Sequence, residues 1–89
     1  MREFEVKPEL DKKLIKLSKR DKSTYETVMK KIEEILKSED VEHYKNLRYN
    51  MKDSKRVHIG PFVLVFSYDK KKDFISFEDF KHHDDIYRG

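Results

Sequence analysis

The pattern of hydrophobic and polar positions changes along the chain, and each stretch predicts one kind of element. Residues 3–7 alternate apolar and charged side chains, which is typical of a strand with one buried face. Pro8 ends this strand and suits the first position of a helix. Leucines then recur at i, i+4 and i+7, and this spacing predicts a first helix that ends near Arg20.

A second amphipathic helix follows after a short break. Ser23 opens a Ser-Thr-Tyr-Glu sequence, in which the Ser hydroxyl and the Glu26 carboxylate can satisfy backbone donors of the first turn. Apolar side chains then recur with helical spacing at Tyr25, Val28, Met29, Ile32, Ile35 and Leu36. We expect the two helices to form a hairpin whose apolar stripes cover a common surface.

Strand candidates occupy residues 47–51, 55–59, 62–68 and 73–78. In the second of them Val57 and Ile59 alternate with Arg56 and His58. The apolar pair should therefore face the helices, and the polar pair should point away from them. Gly60-Pro61 marks a turn, and the apolar run after it is typical of a central strand.

Together these elements predict an α+β fold. An N-terminal strand and a two-helix hairpin are expected to pack on one face of a twisted, mainly antiparallel β-sheet. The sequence contains no repeat and no linker, so we expect one domain over residues 1–89.

The composition restricts the possible chemistry. Charged residues make up 44% of the chain and hydrophobic residues 36%, but aromatic residues at 12% supply material for a core. The absence of cysteine excludes disulfides, thiolate zinc sites and cysteine nucleophiles. The N-terminus lacks the apolar core of a signal peptide and no apolar run is long enough to cross a bilayer, so we expect a cytoplasmic protein without membrane contact.

The net charge of +3 arises entirely within residues 45–89. Basic residues are concentrated between residues 45 and 58, where Asp53 is the single acid. Such a stretch favours binding of a polyanion. The candidate RNA-binding residues are Lys45, Arg48, Lys52 and Lys55.

Two motifs give the chain a resemblance to a known family. Lys55-Arg-Val-His-Ile-Gly-Pro-Phe is a basic, apolar, basic, apolar pattern before a glycine turn, and Lys81-His-His-Asp-Asp-Ile-Tyr closes the chain. In this order, and within about 90 residues, the chain resembles the RelE/ParE toxins. The resemblance implies a RelE-like fold and a toxin of a type II toxin–antitoxin system.

The ribonuclease branch of that family implies a ribosome-dependent endoribonuclease that cleaves messenger RNA in the ribosomal A site without metal or cofactor. Its Lys-x-Lys pair falls on Arg56 and His58, and a family arginine after the glycine turn falls on Val63. The residues to which the resemblance assigns catalysis are Arg56, His58, Lys81, His83 and Tyr87.

The implied reaction is attack of the RNA 2′-hydroxyl on the adjacent phosphate, which gives a 2′,3′-cyclic phosphate. It needs a base, an acid and cations around the phosphate. One of His58 and His83 would be the base and the other the acid, an assignment that the residues leave open. Arg48, Arg56 and Lys81 would stabilise the developing charge, and Tyr87 would stack on or orient a base.

Other functions remain as alternatives. The ParE branch has the same fold and poisons DNA gyrase, and the valine at position 63 fits a member without the ribonuclease residues. A noncatalytic RNA-binding module would also use the basic stretch.

The adjacent polar residues 82–85 point in different directions along the chain, so we expect no metal site there. By resemblance, the partners are messenger RNA, the ribosome and a RelB-like antitoxin in a hetero-oligomer.

Overall fold

The computed structural model of the protein describes residues 2–46 and 54–87, without the side chains of residues 86 and 87. Strand β1 is Glu3–Val6, helix α1 is Pro8–Arg20 and helix α2 is Lys22–Lys37. A 3₁₀ turn at Val41–His43 follows α2. The remaining elements are β2 (Ser54–Ile59), β3 (Phe62–Asp69), β4 (Phe74–His82) and α3 (His83–Tyr87).

The four strands form one mixed sheet in the order β1-β4-β3-β2. Strand β2 pairs antiparallel with β3, and β3 pairs antiparallel with β4. Strand β1 pairs parallel with β4, because the helical hairpin carries the chain back across the sheet before the other strands begin. The predicted α+β fold with a mainly antiparallel sheet is confirmed.

Both helices pack on one face of the sheet, which we call the helix face. Helical leucine, isoleucine and valine side chains meet the apolar side chains that alternate along β3 and β4. Burial of this surface is the main source of stability in so small a chain. The buried members of this core are Leu10, Leu14, Val28, Ile32, Ile35, Leu36, Val41, Ile59, Leu64, Phe66, Ile75, Phe77 and Phe80.

The ends of the helices show where the local signals hold and where they fail. Helix α1 begins at Pro8, as predicted from the fixed φ of proline. Helix α2 begins at Lys22, so the predicted cap at Ser23 is wrong. Asp21 is the N-cap, and its carboxylate accepts bonds from the backbone and the hydroxyl of Thr24. An aspartate two residues earlier satisfies a first-turn donor and takes the place of the serine.

Two strand predictions differ from the structure or lie beyond it. The strand expected at 73–78 is β4, which runs four residues further, to His82, and its pairing with β3 shifts register between Val65 and Phe66. The strand expected at 47–51 lies outside the described residues. The extension of β4 places Lys81 on the sheet rather than in a tail.

Arg2 anchors the start of β1 to two distant segments. Its guanidinium donates to the carbonyl oxygens of Leu36, Ser38 and Glu39 at the end of α2. The same group donates to the Asp73 carboxylate at 2.7 Å, in the turn before β4. These bonds satisfy carbonyl groups that α2 leaves unpaired at its C-terminus.

Candidate functional site

Arg56 and His58 lie side by side on β2, on the face of the sheet opposite the helices, which we call the open face. Their positions follow from the alternation along β2, because Ile59 and Val57 contact the core on the helix face. Arg56 Nη1 lies 3.0 Å from His58 Nε2, and Arg56 Nε donates to the carbonyl oxygen of Asn46 at 3.1 Å. The predicted orientation of this strand is confirmed.

His83 joins this pair from the other end of the chain. Its ring stacks on the ring of His58, with 5.5 Å between centroids and 29° between planes. The backbone N–H of His83 donates to the carbonyl oxygen of Pro61 at 2.9 Å, which fixes the start of α3 beside the turn between β2 and β3. The two motifs that are distant in sequence therefore meet at one end of the open face.

The electrostatic environment of His58 favours its neutral form. Partial burial, the guanidinium of Arg56 and the nearby His83 and Lys45 all lower the pKa of His58 below its usual value. A guanidinium has only donors, so the contact from Arg56 requires His58 Nε2 to be an acceptor. His58 therefore presents an unprotonated Nε2 near neutral pH.

Lys81 lies two strands away from His58 in the same part of the open face. In the sheet register Val63 of the central strand pairs with His58 on one side and with Lys81 on the other. Lys81 Nζ lies 3.4 Å from Asp79 Oδ2, and Asp79 also pairs with Lys13 of α1. One carboxylate thus connects a cation of the open face with a cation of the helix layer.

Val63 is the residue on which, by the resemblance, a family arginine falls. Its side chain has no exposed surface, although it lies outside the core beneath the helices. A buried valine can neither reach nor neutralise a phosphate. The cationic contribution on this face must come from neighbouring residues such as Arg56 and Lys81.

The candidate RNA-binding residues fall in three different places. Lys45 is exposed at the edge of β2, where its carbonyl oxygen accepts the backbone N–H of Arg56 at 2.9 Å. Arg48 and Lys52 lie outside the described residues. Tyr87 ends α3, but its side chain also lies outside the description.

Lys55 is buried, unlike the exposed Lys45, and its contact with RNA stays a prediction. Its side chain lies on the helix-face side of β2 with 6% of its surface exposed, and Nζ donates to the carbonyl oxygen of Tyr44 and to Asn46 Oδ1. The cause is the period of two along a strand, which puts Lys55 with Val57 and Ile59 and opposite to Arg56.

Two residues of the site were missed by sequence reasoning. Asn46 accepts bonds from both Arg56 and Lys55, and Asp79 holds Lys81. Asp79 stands two positions before Lys81 on an alternating strand, so the pattern of the chain contained a signal for that pair. No sequence pattern identified Asn46, because its role depends on the segment after α2 folding back along the edge of β2.

His82 and His83 are adjacent but have different surroundings. The ring of His82 meets Phe62 edge-on at 5.8 Å between centroids, whereas His83 stacks on His58.

The described residues hold no group of three or more histidine, aspartate or glutamate side chains arranged to bind a metal ion. In the same part of the chain no helix is long and apolar enough to span a membrane.

Solved structures share the fold over most of the chain. The crystal structure of the isolated E. coli RelE toxin superposes with a TM-score of 0.74 at 19% identity, covering 92% of this chain and 84% of that one. The crystal structure of E. coli YafQ superposes with a TM-score of 0.62 at 18% identity, covering 98% and 99% respectively. These similarities establish a RelE-like arrangement of helices and sheet.

Sequence relatives establish the family. A protein of Methanocaldococcus jannaschii with the name "Putative toxin RelE4" is 52% identical over 89 residues, which cover 99% of this chain and 93% of the relative. An uncharacterized protein of Methanosarcina mazei is 45% identical over 85 residues, 94% of this chain and 96% of the relative. No family model matches the chain. The similarity to the first relative over nearly the whole length shows that the chain belongs to the RelE toxin family.

Proposed function

We propose that this chain is the toxin of a type II toxin–antitoxin system and cleaves messenger RNA in the ribosomal A site as a metal-independent endoribonuclease. The observation that carries the proposal is the cluster of Arg56, His58 and His83 on the open face. It combines a permanent cation with two imidazoles. These are the groups that a phosphodiester cleavage by proton transfer requires.

The reaction begins at the ribose 2′-hydroxyl next to the scissile phosphate. A base takes the hydroxyl proton while the 2′-oxygen forms a bond to phosphorus, and the bond from phosphorus to the 5′-oxygen breaks. An acid gives its proton to the departing 5′-oxygen. The products are a 2′,3′-cyclic phosphate and a free 5′-hydroxyl, so all atoms and protons balance.

We assign the base to His58. Its lowered pKa keeps the ring neutral, and the bond from Arg56 leaves the proton on Nδ1 and a lone pair on Nε2. When the phosphate enters, the guanidinium of Arg56 can bind its oxygens in a bidentate manner and release Nε2 toward the 2′-hydroxyl. The same arginine thus prepares the base and binds the developing negative charge.

We assign the acid to His83. Its ring lies beside that of His58, so both can reach one phosphate group. Asp84 Oδ1 lies 3.7 Å from His83 Nδ1, and we assign the other ring nitrogen, Nε2, to the departing oxygen. In the proposed site Lys81 adds a second cation and Tyr87 stacks on a base of the message.

Cleavage is tested by adding purified protein to translating ribosomes on a defined message and mapping new 5′ ends by primer extension. We expect His58→Ala and His83→Ala each to lower the cleavage rate about 100-fold or more, the usual contribution of an acid or base. His82→Ala is the matched control, because it removes the adjacent histidine, whose ring packs on Phe62. Its rate should equal that of the wild type, and a chelator selective for transition metals, which leaves the Mg²⁺ of the ribosomes in place, should leave all rates unchanged.

Two outcomes would contradict the proposal in different ways. Equal rates for the three alanine variants would remove His58 and His83 from the chemistry. Absence of any cut by the wild-type protein would favour a gyrase poison or a noncatalytic RNA-binding module. Gyrase inhibition and salt-dependent RNA binding then distinguish those two functions.

We further propose a RelB-like antitoxin as the protein partner. Among the described residues the large hydrophobic side chains that are exposed are Phe4 (46%), Ile15 (51%) and Met29 (39%), and all three line one groove of about 500 Å³ along β1, α1 and α2. Met29 was expected to join the apolar stripe beneath the helices and instead borders this groove. An amphipathic helix of the antitoxin would cover these side chains.

Binding of the antitoxin should raise the melting temperature of the toxin, because a ligand of the native state stabilises it by mass action. Ile15→Lys should abolish most of that increase without changing the melting temperature of the isolated toxin. Lys16→Ala, on the exposed side of the same helix, is the control. If the antitoxin raises the melting temperature of Ile15→Lys as much as that of the wild type, it does not bind in this groove.

A further inference from the structure

A second basic site lies at the edge of β2, on the opposite side of the strand from His58. The segment after α2, the start of β2 and the turn between β3 and β4 enclose a cavity of about 870 Å³. We call it the basic pocket. Its lysines come from three separate stretches of the chain: Lys45, Lys55, Lys70 and Lys71.

The ammonium group of Lys55 lies at the inner wall of the basic pocket. Only 6% of this residue is exposed, and its two acceptors are neutral oxygens of Tyr44 and Asn46, each at 3.3 Å. Within the described residues no carboxylate lies within 4.0 Å of this ammonium group. Burial of a charge is costly unless it is paired, and two long bonds to neutral oxygens compensate it poorly. An anion in the pocket would supply the missing charge.

The carboxylates around the pocket do not neutralise it. Glu42 Oε1 lies 3.6 Å from Lys70 Nζ, so it offsets one lysine at the rim. Asp69 Oδ1 accepts the backbone N–H of Lys72 at 3.2 Å and is engaged in the turn. Among the described residues that line the cavity there are four lysines and two carboxylates, so this part of its wall carries a net positive charge.

The basic pocket is directly connected to the open face through Asn46. Its carbonyl oxygen accepts a bond from Arg56 Nε, and its side-chain oxygen accepts one from Lys55 Nζ. Lys45 also belongs to both places, because it lines the pocket and contributes to the lowered pKa of His58. A polyanion that passes the edge of β2 would meet both sites in succession.

We propose that the basic pocket binds a phosphodiester of single-stranded RNA, adjacent along the strand to the phosphate held by Arg56. This inference rests on the proposed function, and it extends the RNA-binding surface from the open face around the edge of β2. A strand rather than a free anion is the expected occupant because Lys45 and Asn46 join the pocket to the open face.

The test is binding of RNA that cannot be cut, with 2′-O-methyl oligonucleotides of two and ten nucleotides followed by fluorescence anisotropy at several salt concentrations. We expect Lys55→Met and Lys71→Gln each to weaken binding of the longer strand about five- to tenfold and to reduce the salt slope by about 0.7. The affinity for the dinucleotide should not change. Lys16→Gln, on the exposed side of α1, makes the same charge change as a control.

The two lysine variants separate binding from structure. Lys71 is exposed, so its replacement should leave the protein folded. If Lys55→Met does not fold, the affinity of Lys71→Gln for the longer strand tests the proposal alone. Unchanged affinity and slope in Lys71→Gln would overturn the proposal, as would a Lys55→Met variant that lowers only the melting temperature. Inorganic phosphate is the second probe, and tight phosphate binding without dependence on strand length would instead indicate a free-anion site.

The result also distinguishes this inference from the proposed cleavage. The oligonucleotides carry no 2′-hydroxyl at which the reaction can start, so catalysis does not enter the measurement. Loss of affinity in both variants, in a protein that cuts no message, would support the pocket while the proposed function fails. Normal cleavage together with unchanged binding in both variants would overturn the pocket alone.

Discussion

The two faces of the sheet are built from alternating residues of the same strands but have opposite character. On the helix face Leu64 and Phe66 of β3 are fully buried in the core with the helices. On the open face Arg56 of β2 contacts His58, and His58 stacks on His83. One face therefore holds the fold together, and the other presents charge and titratable groups.

This difference teaches that stability and chemistry are largely separated in the molecule. A side chain in the core contributes through burial of its whole apolar surface. An exposed histidine contributes little to the free energy of unfolding, because substitutions of exposed residues usually change it by less than about 0.5 kcal/mol. The comparison can therefore be tested by paired substitutions on the two faces.

The largest effect is expected from Phe77→Ala on the helix face. Phe77 is completely buried, and removal of such a ring leaves a cavity that costs about 3–5 kcal/mol of unfolding free energy. Urea denaturation measures it, with His58→Ala as the open-face counterpart that should keep the wild-type midpoint. If Phe77→Ala does not fold, Ile75→Val should still cost about 0.5–1.5 kcal/mol. Similar losses from His58→Ala and Ile75→Val would refute the separation.

The helix face was largely predictable because hydrophobic periodicity reports burial directly. The leucines of α1 and the alternation of Val57 and Ile59 identified both sides of the core before any contact was known. The parallel pairing of β1 with β4 was not predicted, because it depends on contacts between distant segments. The same holds for α3, whose first residue bonds to Pro61 across the β2–β3 turn.

The candidate site was predictable only in part, for a related reason. The sequence identified Arg56, His58 and His83 as candidate catalytic residues. It did not predict the contact between the two histidines, because that contact depends on β4 ending beside the turn after β2. Lys55 shows the reverse case, because its position in the alternation places its charged side chain inward. Periodicity was the better guide than charge at that position.

A smaller effect is expected from Asp79→Asn, which affects the link between the two faces. Burial opposes ionisation of Asp79, but bonds from Lys13 and from the Phe80 backbone outweigh it and hold the pKa of this carboxyl below its usual value. The substitution should cost about 0.5–1 kcal/mol at neutral pH, the range of partly exposed pairs.

The pH dependence of that cost follows from the direction of the shift. A carboxyl whose pKa is lowered by folding contributes stability above its unfolded pKa and loses it as pH falls through the folded pKa. The difference between wild type and Asp79→Asn should therefore disappear in acid, once the pH lies below the folded pKa of Asp79. A difference that stays constant between neutral pH and this acidic limit would show that packing, not charge, is the contribution of Asp79.

The smallest effect concerns the open face alone and is a displacement of a pH profile. Burial, Arg56 and the neighbouring basic groups lower the pKa of His58, so a neutral side chain at position 56 should raise it. If His58 is the base, the acidic limb of the cleavage rate in Arg56→Met moves to higher pH than in the wild type. The rate at the plateau should also fall, because the cation at the phosphate is lost.

The direction of that displacement separates the two histidine assignments. A base must be unprotonated, so a raised pKa of His58 reduces the active fraction at low pH and leaves the basic limb in place. If His58 were the acid, the same raised pKa would extend activity at high pH, and the basic limb would move instead. Arg56→Lys keeps a positive charge near the ring and should leave the acidic limb closer to that of the wild type than Arg56→Met does.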